Sequence, residues 1–353
     1  MVKALPLIVT LLAGTVGGVV LDFLGAPAAF LVGSAVGVTL AVVVRLPTHL
    51  PMELREPAFA ILGIMMGAGV HPEALGTLAK MPLALVGLAL AVMGATAASY
   101  FVLSRVAKWD RVTALCSSIP GALQVTMAVA VESGSRVERV AIAQALRLFI
   151  LVSLVPLVFG GNNPLPLGAF SAAEPDPVTV ALTIAIGIGS GYFGKFFKIP
   201  AAMMVVPLCV GAVISASGLL PLAVPSVVAA AAFIILGASV AVRFEGMKGS
   251  DVLPTLRTSL GSFVAAFAVA ISVAAIFSGV LGESLGAVFL AFSPGGADVM
   301  IALAFLLNLD VTFVAMLHVA RLIALSVGAP ILVALVRRGA ADEASERAHS
   351  PKS

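Results

Sequence analysis

The sequence predicts an all-α fold: a polytopic transmembrane helical bundle of about ten spans plus two interrupted or re-entrant elements, arranged as two inverted repeats. Three observations carry this reading. Of the 353 residues, 61% are hydrophobic and only 10% are charged, where a soluble domain carries about a quarter charged residues. Uncharged runs such as 81–104 and 258–282 reach the ~20 apolar residues that a spanning helix needs. Finally, a Pro-Gly element inside an apolar stretch occurs twice, at Pro120-Gly121 and Pro294-Gly295-Gly296, 174 positions apart. Each copy is followed by an arginine within an apolar run, Arg147 and Arg321, again 174 apart. Paired broken segments in two related halves are a sequence pointer to a transport site.

Residues 4–21 read as a first retained helix, because no small-residue cleavage site follows them. Further spans fall at 27–45, 57–72 and 81–104. The first Pro-Gly element occupies 112–131, and a helix follows at 138–160. The second half gives spans at 177–194, 200–219, 226–243 and 258–282, the second element at 285–307 and a last helix at 312–336. This divides the chain into a first membrane repeat (1–160), a linker rich in Asn and Pro (161–176), a second repeat (177–338) and a polar tail (339–353) expected to be disordered and cytoplasmic.

The duplication extends beyond the motif. Across 120–151, 11 of 32 positions are identical to those 174 later; apolar composition alone would not also place Pro-Gly and a lone Arg in one frame. The charge map then constrains topology. Basic residues cluster at Arg45/Arg55, Arg105/Lys108/Arg111, Arg136/Arg139, Lys195/Lys198, Arg243/Lys248/Arg257 and Arg337/Arg338, and the loops near 22–26, 160–176, 219–226 and 283 have none. The positive-inside rule places all clusters on one face. That works if both Pro-Gly elements enter and leave on the same side, with both termini cytoplasmic and the second half inverted. A short non-spanning segment such as 57–72, with broken helices crossing at the elements, meets the same parity. The location expected is a bacterial inner membrane.

Proline removes a backbone donor and glycine loosens the chain, so Pro120-Gly121 and Pro294-Gly295-Gly296 free main-chain groups in a place without bulk water. Such groups suit a small anion or cation. A single intramembrane proline is more often a plain kink; duplication favours a site. Asp298 is expensive in an apolar stretch: it could bind a cation, carry a proton or pair with Arg321. Its counterpart is Gln124, and Thr126 adds a hydroxyl. Arg147 and Arg321 could clamp a substrate carboxylate or neutralise a buried acid; Arg147 could also snorkel. His318 lies three residues before Arg321, on the same helix face, as Gln144 does before Arg147. Cys116 and Cys209 read as small apolar residues. No zinc spacing, phosphate loop, nucleophile motif or nucleotide fingerprint is present, so neither a metal, a cofactor nor an enzymatic reaction is expected.

These residues resemble the AbrB-type integral membrane proteins of bacteria over about 4–338. The resemblance rests on Pro120-Gly121-Ala122-Leu123 with Gln144 and Arg147-Leu148, and on Pro294-Gly295-Gly296-Ala297 with His318 and Arg321-Leu322. Members commonly show Pro-Gly-Gly-Leu, an acidic residue and methionine. Here Ala122 replaces a glycine, Val125 and Thr126 precede Met127, and Asp298 stands ahead of Val299-Met300. The resemblance implies a layout similar to cation:proton antiporters and anion transporters, with a suggested role in gene regulation and an occasional monooxygenase label. No DNA-reading motif or metal cluster supports direct regulation or oxidation.

The expected function is therefore secondary transport of a small solute, ion- or proton-coupled, at the two breaks. The alternative is a membrane-embedded ligand-binding regulator. The partners expected are the solute, its coupling ion and the bilayer, with a homodimer left open and no nucleic acid.

Overall fold

The computed structural model describes residues 4–69, 75–121, 123–160, 176–245 and 252–349, with side chains described for all of these except 75–79, 123–125 and 337–349. Residues 161–175 of the 161–176 inter-repeat linker lie outside the described residues. Among those described there are fourteen α-helices and no strand. The first half holds α1 (Ala4–Phe23), α2 (Ala29–Val43), α3 (Met52–Ala68), α4 (Leu75–Phe101), α5 (Arg111–Ser118), α6 (Leu123–Glu132) and α7 (Val137–Phe159). The second holds α8 (Pro177–Phe196), α9 (Ala202–Ser217), α10 (Ser226–Ala241), α11 (Val252–Leu281), α12 (Leu285–Phe292), α13 (Ala297–Leu306) and α14 (Val311–His349). Seven of the helices are long and apolar enough to cross a membrane: α1, α4, α7, α8, α10, α11 and α14. The expected spans at α2, α3 and α9 have 15, 17 and 16 residues, roughly 22–26 Å at 1.5 Å per residue.

The repeat is written in the backbone as well as in the sequence. Left-handed residues fall at matching places in the two halves: Gly25 and Lys198, Ala28 and Ala201, Arg45 and Gly218, Lys108 and Gly282, Gly134 and Asn308. Side-chain types differ within most of these pairs, so backbone geometry has outlasted sequence identity. Among the described residues, Gly121 is the one left-handed position without a partner.

The halves run in opposite senses. Lys80, near the start of α4, pairs with Glu283, just past the end of α11. Ser99, near the end of α4, shares a 2.6 Å hydrogen bond with Ser262, near the start of α11. Equivalent helices are thus antiparallel, as inverted repeats require. The halves are also interlocked: α3 packs on α9, and α10 packs on α2. A Cβ on Gly63 would strike the Met204 carbonyl, and one on its counterpart Gly237 would strike the Leu31 carbonyl. This is close backbone packing of the kind small residues allow in a bilayer. Within each half, α1 lies on α2 and α8 on α9; Gly17 and Gly33 face each other so closely that neither position has room for a side chain.

The tail departs from expectation. Its backbone continues helical through 339–349 as the end of α14, where disorder was expected. The stretch contains Ala, Glu and Arg, which are strong helix formers, and they extend a helix already nucleated in the bundle.

Candidate functional site

Both Pro-Gly elements fold as helical hairpins that turn back to the face they enter. Asp110 caps α5 by accepting from the Thr113 amide at 2.8 Å, and Ser284 caps α12 by accepting from the Ala287 amide at 3.2 Å. Each of these helices stops one residue before its proline: Ile119 has ψ 121° and Ser293 has ψ 146°. Proline forces its predecessor out of the helical region. The chain then reverses into α6 or α13. The Arg136 amide, at the start of α7, donates to Thr113 Oγ1 at 2.9 Å, which joins the exit of the first hairpin to its entrance. Leu309, after α13, lies beside Gly286 at the start of α12 in the same way. The elements are re-entrant, and the crossing-helix alternative left open by charge parity is excluded.

The C-terminal carbonyls of α5 and α12 have no partners within their own helices. They are met by equivalent side chains from α7 and α14. Gln144 Nε2 donates to the carbonyls of Cys116 and Ile119 at 3.2 Å and to Thr126 Oγ1 at 3.3 Å. Arg147 donates to the Ser117 carbonyl at 2.6 Å and to the Ile119 carbonyl at 3.2 Å. In the second half, His318 Nε2 donates to the Leu290 carbonyl at 3.0 Å, and His318 Nδ1 accepts from Arg321 Nη2 at 2.7 Å. Arg321 also donates to the carbonyls of Ser293 and Gly295. The (Gln/His)-x-x-Arg pairs are therefore brackets for the broken ends, with the guanidinium placed at the negative end of the half-helix dipole. All four side chains are buried. Arg147 does not snorkel, and Arg321 does not pair with Asp298.

The two tips meet. Gly121, in the left-handed region at φ 75°, lies against the Arg321 guanidinium, where an added Cβ would sit 3.1 Å from Nη2 and 3.3 Å from Nε. Gly296 faces Leu148, next to Arg147, with 3.3 Å between its would-be Cβ and that side chain. Arg147 and Arg321 are within electrostatic range of each other. Pro120, Pro294 and Gly295 are buried at the breaks, and Thr126 is buried in α6. The side chain of Gln124 lies outside the described set.

Asp298 is half-buried in the first turn of α13. Its electrostatic partners are Arg243, at the end of α10, and Arg55, in α3. These two were read from the sequence only as topology charges; they lie far from Asp298 along the chain, and nothing in the motif spacing pointed to them. The main-chain carbonyls were missed for a plainer reason: every residue has one, so no residue type marks them. The two hairpins are packed unequally. α13 is almost wholly buried, whereas α6 exposes Ala128, Val131 and Glu132. Among the described residues no group of three or more His, Cys, Asp and Glu side chains is placed to share a metal ion.

Span-length apolar helices, inverted repeats and two bracketed re-entrant hairpins define a polytopic helical membrane protein. The chain belongs to the AbrB family, described as "Transition state regulatory protein AbrB", whose match covers residues 30–337. It is similar to the Escherichia coli (strain K12) protein named "Putative regulator AbrB", 24% identical over 314 residues, covering 88% of this chain and 90% of that one. It is also similar to the "Uncharacterized protein YhjN" of Bacillus subtilis (strain 168), 26% identical over 336 residues and 87% of each chain.

Proposed function

We propose that the protein is a secondary transporter of a small solute, coupled to an ion or proton gradient, in a bacterial inner membrane with both termini cytoplasmic. One observation carries the reading. Two re-entrant hairpins of opposite sense bring their broken tips together, and buried side chains fix the main-chain ends that such breaks would otherwise leave bare. A kink that served packing alone would not need two arginines inside the bundle. The unequal packing of α6 and α13 fits one conformer of a pair, since exchanging the environments of two related hairpins would move access from one face to the other. No covalent chemistry is assigned to the site.

The test is flux. Purified protein in proteoliposomes should take up a solute from an acidic, basic and neutral panel when an ion or pH gradient is imposed, and uptake should collapse with an ionophore. A second reading, a ligand-binding membrane regulator, draws on the word "regulatory" in the family description. Saturable binding with no uptake under any gradient would favour it and remove transport.

A further inference from the structure

We infer that the solute held between the hairpin tips is a small carboxylate anion, received by the Arg321 Nε–H and the first turn of α6. The inference rests on reading the tips as the solute site. Arg321 is 2% exposed. Its terminal nitrogens are engaged by the Ser293 and Gly295 carbonyls and by His318. Its Nε is buried and has no hydrogen-bond partner. A buried charged donor left without an acceptor is costly, and the position it faces is informative. Nε lies beside Gly121, left-handed at φ 75°, where an added Cβ would stand 3.3 Å from it.

α6 starts two residues further on, at Leu123, and runs for ten residues. The first amides of a helix lack intrahelical acceptors and favour negative charge. The α6 N-terminus therefore places the start of a helix two residues from Gly121, the residue beside which the Arg321 Nε–H is buried. A guanidinium N–H and a helix amide together match the two oxygens of a carboxylate.

Charge points the same way. Arg147 and Arg321 hydrogen-bond main-chain carbonyls and one histidine, and among the described residues no carboxylate is bonded to either. Asp298, the acidic residue of the second tip, lies within range of two further arginines, Arg243 and Arg55. Around the breaks positive charge exceeds negative. A cationic solute would add to that excess, and an anionic one offsets it.

The experiment is a thermal-stability titration of the full-length protein in detergent with sodium acetate and sodium succinate, against sodium chloride and choline chloride at matched ionic strength. Acetate or succinate should raise the melting temperature saturably, and chloride and choline should not. Arg321→Lys keeps the charge and removes the Nε–H, so its half-saturating concentration should rise about tenfold or more, the usual cost of a lost charge-assisted bond. The proposal is overturned if neither carboxylate gives a saturable shift with the unmodified protein, which needs no variant to fold. It is equally overturned if Arg321→Lys responds like the parent. Proteoliposome uptake separates the two readings. Carboxylate binding without flux keeps the anion site and removes transport; flux of choline or glucose with no carboxylate effect does the reverse.

Discussion

His318 and Gln144 occupy equivalent positions and perform one task with different chemistry. Each donates to a carbonyl three residues before the break, Leu290 or Cys116. Glutamine also carries a carbonyl oxygen, which can replace His318 Nδ1 as the acceptor for Arg321. His318→Gln should therefore hold the fold within about 1 kcal/mol of the parent, a typical net hydrogen-bond worth. His318→Leu strands an Arg321 donor, at roughly 1–3 kcal/mol for the buried unsatisfied group, and leaves the Leu290 carbonyl with the Ser293 hydroxyl alone. Melting curves in detergent compare the two, and equal losses would show that the histidine has a role glutamine cannot fill. Arg147→Met should cost about 1–3 kcal/mol by baring the Ser117 carbonyl inside the bundle and leaving the Ile119 carbonyl with Gln144 alone. A variant as stable as the parent would mean that these carbonyls find other partners. The sequence marked these four residues as paired and placed them correctly on one helix face. It did not reveal their acceptors, because a main-chain carbonyl carries no residue signature.

Elements were legible where physics leaves a local trace. The Pro-Gly breaks appear where proline and its predecessor demand them, and the hairpins close on one face, one of the two arrangements that the distribution of basic residues allows. The exchange of partners between halves, α3 on α9 and α10 on α2, left no such trace, because glycines that permit close approach do not name the helix they approach. That packing makes a sharp contrast among glycines. Gly63→Ala drives a methyl into the Met204 carbonyl and should cost about 1–3 kcal/mol, the range for overpacking. Gly189→Ala, on α8, meets open space and should leave the melting temperature unchanged or slightly raised, since alanine favours helix. Equal effects at both sites would argue against the interlocked arrangement.

At the scale of the whole molecule, inversion converts one sequence motif into two oppositely directed hairpins. The five matched pairs of left-handed residues and the antiparallel α4 and α11 describe halves related by a half-turn in the membrane plane. The tips are nonetheless unlike: Arg321 keeps a buried Nε–H without an acceptor beside Gly121, and Asp298 has the uncharged Gln124 as its counterpart. Two repeats of one fold thus present chemically different tips, an asymmetry that the missing acid of the first copy also marks in the sequence. Arg55 and Arg243 come within range of Asp298 only in three dimensions.

The architecture on which the site depends is tested most directly by sided cysteine labelling with a membrane-impermeant maleimide. The background is a protein with Cys116 and Cys209 replaced, carrying single cysteines at 111, 136, 283 or 309. Positions 111 and 136 flank the first hairpin and should label together from the cytoplasmic face; 283 and 309 flank the second and should label together from the opposite face. Labelling of 111 and 136 from different faces would make the element a crossing helix and contradict the account.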